Sequence, residues 1–304
     1  SHSRSCVLVA EQDGAMQRDY WYDGRRRAQD LMDAQQVGER AAARTLARLG
    51  ARRPQTGKLP VLFSPQVASG FLGHLIGAIS GGSLYRNASF LKDRLGETLF
   101  PEWITINEQP RLAVGASSGP FDNDCLPTRA QSFIENGVLK SYALGLYAAR
   151  RLGMSPTGNG GGVRNVRITD SGEDQAALLK KMGSGVLVTE AMGLGVNLVS
   201  GDYSRGAAGY WVEHGEIQYP IEEFTIAGHL QEMFAQIQGS GTDVDDRGNI
   251  QTGSLLLESM NVAGVPRSMR RHKPASTLPG PHSMMLDAPP AIMALTVVTQ
   301  WTGL

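Results

Sequence analysis

Apolar positions in the first sixty-four residues follow two periods, one typical of strands and one of helices. Residues 5–23 (SCVLVAEQDGAMQRDYWYD) carry an apolar run and an aromatic repeat on either side of Asp13-Gly14, which predicts two strands joined there. Residues 25–49 are rich in Ala, Arg, Glu, Gln and Leu, and GERAAARTLARLG predicts a helix closed by Gly50. The run LPVLFS that follows predicts a buried strand.

Serine, proline and small residues mark the next helix. Ser64 suits the N-cap and Pro65 the first turn. The stretch VASGFLGHLIGAISGG is rich in Gly and Ala, so we expect this helix to pack closely against another element. Further strands are predicted at WITINE and RLAVG, and QSFIENGVLKSYALG predicts a hairpin that turns at Asn136-Gly137.

The second half of the chain is dominated by hairpin patterns. SGEDQAALLKKMGSG predicts a helix that begins at Ser171 and ends at Gly183, and GVLVTEAMGLGVNLVSG predicts two apolar strands. A polar glycine loop (GDYSRGAAG) then precedes two aromatic strands, GYWVE and EIQYP, joined by His214-Gly215, and the helix IAGHLQEMFAQI follows. This order favours an α+β fold with mixed or antiparallel sheets and packed helices over a doubly wound sheet.

Composition excludes several classes of function. The chain has 304 residues, of which 41% are hydrophobic, enough for a substantial core. Its 29 basic and 29 acidic residues balance, so no charge asymmetry indicates nucleic acid or an anionic membrane. Two cysteines, Cys6 and Cys125, exclude a disulfide framework or a cysteine-rich zinc module. No membrane-spanning apolar run or signal peptide is visible, which favours a cytoplasmic protein.

Both ends of the chain look unusual. The chain starts in a predicted strand, which suggests that earlier sequence is missing. At the other end, 265–304 contains six of the fifteen prolines, four of the 29 basic residues and one of the 29 acidic ones. Because proline opposes helices and central strands, we expect 1–264 to fold and 265–304 to be a disordered or non-native tail. A genuine lineage-specific extension is the alternative.

Several local motifs are compatible with chemistry but incomplete. Gly115–Gly119 fits the G-x-S-x-G pattern with Ser117 as nucleophile, yet a turn-forming sequence follows where a helix is required. Cys125 has no basic neighbour in sequence to activate its thiol. The acidic segment 243–248 has Arg247 where a calcium ligand would be needed, and 158–162 lacks the lysine of a phosphate loop.

Four long, collinear segments carry a resemblance to a known family. They are FLGHLIGAISGGSLYRNASFL (71–91), TGNGGGVRN (157–165), GDYSRGAAGYWVEHGEIQYPIEEFTIAG (201–228) and NIQTGSLLLESMNVAG (249–264). Together they resemble the PmbA (TldE) branch of the TldD/PmbA family, a peptidase family once labelled modulator of DNA gyrase. The resemblance covers about 1–264 and corresponds to the later part of a family member, which implies that the family's N-terminal domain is absent.

The resemblance also identifies what is missing. TldD-branch chains carry a His-Glu-x-x-x-His motif on the helix corresponding to 64–80, and the resemblance places Gly73 and Ala78 at the two histidine positions and His74 at the glutamate position. The third ligand of the family, a cysteine, would fall near Thr252 or Gly253. We therefore expect no metal or other cofactor in this chain, with zinc only in a TldD-like partner.

Peptide and partner binding remain as the expected roles. Candidate residues are Asp202, Tyr203 and Arg205, in the polar glycine loop, and Gly160 and Gly161, which leave the backbone open to close approach. The resemblance implies a subunit that pairs with a TldD-like metallopeptidase to cleave unfolded or extended peptides. Two alternatives stay open: a stand-alone hydrolase that uses Ser117 or Cys125, and a non-catalytic regulator linked to gyrase or to a toxin–antitoxin system.

Overall fold

The computed structural model describes residues 1–264 and the strand at 291–301. These residues form six helices and fourteen strands. The helices are α1 Ala34–Leu46, α2 Pro65–Ala78, α3 Gly81–Tyr85, α4 Leu146–Leu152, α5 Gln175–Met182 and α6 Leu230–Ala235. The strands are β1 His2–Gln12, β2 Ala15–Arg25, β3 Gly57–Phe63, β4 Ile106–Glu108, β5 Gln131–Glu135, β6 Val138–Leu139, β7 Val166–Ile168, β8 Gly185–Met192, β9 Asp202–Glu213, β10 Glu216–His229, β11 Ile237–Ser240, β12 Ile250–Gln251, β13 Leu255–Gly264 and β14 Ala291–Trp301.

The largest sheet has the order β10-β9-β8-β3-β13-β11, and β10 also pairs with β13. A closed ring is therefore formed by β10, β9, β8, β3 and β13, in which only the β3–β8 pair is parallel. Alternate residues of β3 separate two cores. Val61 and Phe63 belong to the main core with α2, whereas Leu62 packs with α5. The predicted α+β class with mixed and antiparallel sheets is confirmed.

Three tight turns occur where the sequence predicts them. The pairs Asp13-Gly14, Asn136-Gly137 and His214-Gly215 all have positive φ at both residues and join β1 to β2, β5 to β6 and β9 to β10. Left-handed backbone at both positions matches the right-handed twist of the flanking strands. In each hairpin the local residues therefore specify the connection.

The tail differs from expectation in its last part. Residues 291–301 form β14, which pairs antiparallel with β1 from His2↔Trp301 to Glu11↔Ala291 and lies at the edge of the sheet β14-β1-β2. These eleven residues thus form a strand where disorder was expected, while the expectation of a disordered or non-native tail as a whole stays a prediction. All six tail prolines precede Ala291, so the segment AIMALTVVTQW retains every backbone N–H for pairing. The rest of the expected tail, 265–290 and 302–304, lies outside the described residues.

Other predicted elements shift or disappear. RLAVG forms turns rather than a strand, with Leu112 and Val114 exposed, and it pairs with no strand among the described residues. The segment 193–201 is a loop and not a second apolar strand. Helix α5 starts after Asp174, whose carboxylate accepts a hydrogen bond from Ala177 N, rather than at Ser171.

Helix α2 runs through the centre of the molecule. Its buried face, formed by Val67, Ala68, Phe71, Leu72, Leu75 and Ala78, packs into the main core. Phe71 contacts the rings of Phe63 and Phe234. Among the described residues, no helix has the length and apolarity needed to cross a membrane.

Candidate functional site

The opposite side of α2 carries small residues, among them Gly73, one of the positions that the resemblance singles out, whereas Ala78 lies on the buried face. A Cβ built on Gly73 would lie 3.9 Å from Ile250 Cδ1 of β12, and one on Gly77 would lie 3.0 Å from Leu198 Cδ1. Ser69 Oγ donates a hydrogen bond to the Ile250 carbonyl. Small residues on α2 thus let β12 and the loop before β9 approach the helix closely.

The metal-ligand positions of the family do not fit a zinc ion here. Gly73 and Ala78 offer no side-chain donor, and Ala78 is fully buried. His74 alone carries an imidazole, and its ring meets that of Tyr203 edge to face with centroids 5.8 Å apart. Its Nε2 is buried and has no hydrogen-bond partner among the described residues. A single imidazole cannot supply the three protein ligands that a catalytic zinc requires.

Burial lowers the pKa of His74, and the positive charge of Arg205 lowers it further. The neutral imidazole is therefore favoured at neutral pH.

The third expected ligand position is also occupied by groups without a suitable donor. Thr252 is buried and its hydroxyl donates to the Gly253 carbonyl. Gly253 packs on the backbone of Gly241, where a Cβ would overlap the carbonyl. No cluster of three or more His, Cys, Asp or Glu side chains that could hold a metal occurs in the described part of the chain.

Tyr203 and Arg205 lie on a strand instead of the predicted polar loop. The GDYSRGAAG stretch from Asp202 onward belongs to β9, where Gly209 lies against the carbonyl of Leu187 so closely that a Cβ would not fit. Glycine here permits close pairing of two strands. A glycine-rich composition is compatible with a loop and with such a strand, so composition alone could not tell the two apart.

The side chains of β9 serve different purposes. Tyr203 is buried against Phe71 and His74, and this burial raises its pKa to about 12. Arg205 donates to the carbonyls of Ala191 and Met192 at 2.7 and 3.1 Å, so it holds the end of β8 rather than pairing with a carboxylate. Both residues line a cleft of about 240 Å³ with Gln66, Gly70 and Phe71 of α2.

Asp202 is not part of this cleft. Its exposed carboxylate accepts a hydrogen bond of 2.5 Å from Ser200 Oγ. This hydrogen bond therefore stays within the loop that leads into β9.

Gly160 and Gly161 line a second cleft, of about 310 Å³, at the other end of α2. Gly160 N donates to Asp122 Oδ2 at 2.8 Å, and a Cβ at this position would lie 2.6 Å from Asp124 Oδ2. Gly161 has φ +86° and is exposed. The structure therefore places the two predicted groups of binding residues in separate clefts along one helix.

The serine and cysteine alternatives find no catalytic partner. Ser117 lies in a loop, its backbone N–H donates to Asn165 Oδ1, and turns follow it instead of a helix. Cys125 is exposed in a turn with φ +62°. Among the described residues, neither side chain is hydrogen-bonded to a histidine that could act as a base.

A cavity of about 640 Å³ was not anticipated from the sequence. It is bounded by β2, by α1, by the start of α2 and by the loop after β11, and it includes Trp21, Ser64 and Gln66. Its lining also includes residues of α5, β8, β9 and β10, and because these parts are distant in sequence, no local motif could have identified the cavity. Ser64 is the N-cap residue of α2 as predicted, but its hydroxyl does not cap the helix.

Comparison with known proteins agrees with this architecture. A family model described as PmbA/TldA metallopeptidase C-terminal domain matches residues 56–264. Metalloprotease PmbA of Escherichia coli O157:H7 is 49% identical over 263 residues, 86% of this chain and 58% of that protein. The PmbA homologue of Haemophilus influenzae is 44% identical, again with 86% of this chain and 58% of that protein.

A solved structure resembles the fold as well. A proposed modulator of DNA gyrase from Thermotoga maritima superposes with a TM-score of 0.79 at 34% identity, covering 85% of this chain and 61% of that one. The chain spans about 58% of the length of the curated relatives named above. The matched family model covers the closed sheet, α2 and both of its flanking clefts, and the chain belongs to the PmbA/TldD metallopeptidase family, in its PmbA branch.

Proposed function

We propose that this chain is the metal-free subunit of a cytoplasmic TldD/TldE-type metallopeptidase that cleaves unfolded or extended peptides. The proposal rests on the shortage of metal-ligating side chains on α2. Gly73 and Ala78 have no ligand atoms, and His74 is turned against Tyr203. A helix with one imidazole and no carboxylate can shape a site but cannot activate a metal-bound water.

Both clefts beside α2 support a role in holding substrate. Gly161 is exposed in the cleft beside α3, and the partly buried guanidinium of Arg205 lines the cleft near the start of α2. Peptides are bound largely through main-chain hydrogen bonds, which require accessible backbone and few bulky side chains.

A strand edge of the β9–β10 hairpin is a poorer candidate. The outer edge of β10 is covered by Arg52 at residues 220–222 and by β13 at residues 224–227. We therefore assign peptide contact to the clefts and not to an added strand.

The loop between β8 and β9 suits contact with a partner subunit. Leu194 is fully exposed, and Met192 and Val199 are 43% and 58% exposed. Apolar side chains grouped on one protruding loop are typical of a protein–protein contact. The proposed occupant is the TldD-like subunit that carries the His-Glu-x-x-x-His motif.

A mixing experiment tests the proposal. An unfolded reporter peptide should be cleaved only when this chain is combined with a TldD-like subunit, and neither protein should cleave it alone. Cleavage by this chain alone that is lost in Ser117→Ala would instead establish the hydrolase alternative. Stable complex formation without any cleavage would favour the regulatory alternative.

Metal content gives an independent prediction. After dialysis against a chelator-free buffer, elemental analysis of this chain should detect far less than one zinc per molecule, because α2 supplies a single imidazole. His74→Ala should not alter that value. Stoichiometric zinc that disappears in His74→Ala would contradict the proposal, whereas a TldD-like subunit analysed in parallel should retain its metal.

A further inference from the structure

A groove beside the turns of RLAVG carries more positive charge than its acidic residues balance. It has a volume of about 610 Å³ and includes the end of β2 with the residues that follow, the turns at 112–116, β7 and the loop after β11. Its charged lining consists of four arginines and two aspartates: Arg25, Arg26, Arg27, Arg167, Asp30 and Asp246. We call it the arginine groove, and its lining has two positive charges in excess.

Both aspartates of the arginine groove are already engaged. Asp30 pairs with Arg27 at 2.6 Å, and Asp246 pairs with Arg25 at 2.9 Å. Each pair is close to neutral as a unit and adds little to the field in the groove. The net charge of the groove is therefore that of its two remaining arginines.

Arg26 and Arg167 have no acidic partner within the described part of the chain. Arg26 Nη2 donates to the Ser118 carbonyl at 2.7 Å, and the side chain of Arg167 makes neither an ion pair nor a hydrogen bond with any described residue. Both arginines are exposed, so a ligand that enters the groove can reach them. Charges of one sign along a cleft attract ligands of the opposite sign.

The turns at 112–116 add hydrogen-bond donors and apolar surface to the same groove. The backbone N–H groups of Ala113, Val114 and Ala116 have no hydrogen-bond partner among the described residues, and all three residues are exposed. The side chains of Leu112 and Val114 are also open to solvent. These features suit a ligand that combines negative charge and hydrogen-bond acceptors with an apolar part.

We propose that the arginine groove binds acidic segments of extended peptides. Arg26 and Arg167 would hold Asp or Glu side chains of the ligand, because a guanidinium fork matches a carboxylate. Leu112 and Val114 would contact an apolar side chain beside them. A volume of about 610 Å³ lies within the usual range for ligand sites and accommodates a few side chains.

A peptide fits the arginine groove better than a nucleic acid does. Nucleic-acid sites need a row of cations that follows successive phosphates, whereas this chain balances 29 basic with 29 acidic residues and has two free arginines here. The choice of a peptide rests on the proposed peptidase function, but the requirement for negative charge rests on the groove alone.

Binding can be measured on this chain by itself, which separates the groove from the proposed function. Cleavage with a TldD-like subunit, without any preference of this chain for acidic peptides, would refute the groove proposal alone. Acid-selective binding by this chain, without cleavage in the mixture, would refute the peptidase function alone.

Isothermal titration of the full chain with two capped peptides tests the proposal. N-acetyl-Ala-Asp-Leu-Asp-Ala-amide should bind saturably and at least ten-fold more tightly than the same peptide with Asn in place of both Asp. Its affinity should fall between about 50 and 300 mM salt, because salt screens exposed charges. Equal binding of both peptides, no binding at millimolar peptide, or tighter binding of a thymidine pentanucleotide would each overturn the proposal.

Arginine variants locate the binding site. Arg167→Gln removes a side chain that makes no described contact, so the fold should be unaffected, and it should weaken the acidic peptide at least five-fold. Adding Arg26→Gln should remove the preference for the acidic peptide. Arg18→Gln, at an exposed arginine of β2 outside the groove, is the matched control and should bind as the wild type does. Unchanged affinity in the double variant, or an equal loss in the control, would exclude the groove as the binding site.

Discussion

At the residue scale, His74 shows how a family position can change its chemistry. The residue has a partly buried ring on α2, and its neighbours are Tyr203 and Arg205. Packing and charge both favour the neutral imidazole. The structural role of this residue is therefore to fill space in a neutral form.

His74→Phe should make stability less dependent on pH. The folded-state pKa of His74 is lowered from 6.5, so the unfolded chain binds the proton more readily and wild-type stability falls as pH drops below about 6.5. Phenylalanine keeps the ring contact and cannot titrate. Thermal melts at pH 7.5 and 5.5 should show a smaller decrease for the variant, while His214→Phe, in an exposed turn, should match the wild type. Equal decreases in all three proteins would show that His74 titrates normally.

Gly215 combines two constraints that its counterpart Gly14 does not. Both have φ +75°, but a Cβ on Gly215 would lie 2.8 Å from Lys180 Cα of α5, whereas one on Gly14 meets nothing. Gly14→Val should therefore lose about 1–2 kcal/mol from backbone strain alone.

Gly215→Val should lose clearly more than Gly14→Val, because the turn must also move away from α5. Chemical denaturation of the two variants compares the losses directly. Equal losses of unfolding free energy in the two variants would mean that α5 moves aside at no cost in stability.

At the element scale, the ring closure between β10 and β13 decides which surfaces are open. Phe224–Ala227 pairs with β9 on one side and with β13 on the other. Paired edges cannot accept another strand, so contact with other molecules falls to loops and clefts.

The loop between β8 and β9 provides the test at this scale. Leu194→Ser should leave the melting temperature within about one degree, since the side chain is fully exposed, and should weaken capture of a TldD-like subunit at least ten-fold. Tyr147→Ser, at another exposed apolar position on α4, is the matched control. A loss of capture only in the control would move the interface to α4.

At the scale of the whole molecule, the described residues form three sheets, and β14 extends the first of them. Pairing with β14 covers one edge of β1, and β2 covers the other. Residues far apart in sequence thus complete one sheet.

Deleting 265–304 should expose the free edge of β1. Amide exchange of the β1 N–H groups that face β14 should accelerate at least ten-fold, while β3 and β8 in the closed sheet should keep their protection. Mass-spectrometric hydrogen exchange on both proteins measures the difference. Unchanged exchange in β1 would mean that β14 contributes little to the fold.

The sequence by itself determined the local turns, most strands and the family. Positive φ at Asn136-Gly137 and His214-Gly215 follows from residue chemistry within two positions, and the burial of β3 on both faces follows from its continuous apolar run. Such signals depend only on neighbouring residues, so they can be interpreted before the fold is known.

Tertiary structure decided what depends on distant partners. GDYSRGAAG forms a strand where β8 pairs with it. RLAVG has no strand partner among the described residues and forms turns, and the Ser64 hydroxyl leaves α2 uncapped beside a cavity. The cavity itself joins Trp21, Arg40 and Gln66 from three elements. Long-range packing brought these side chains together, and no pattern within one segment encodes that convergence.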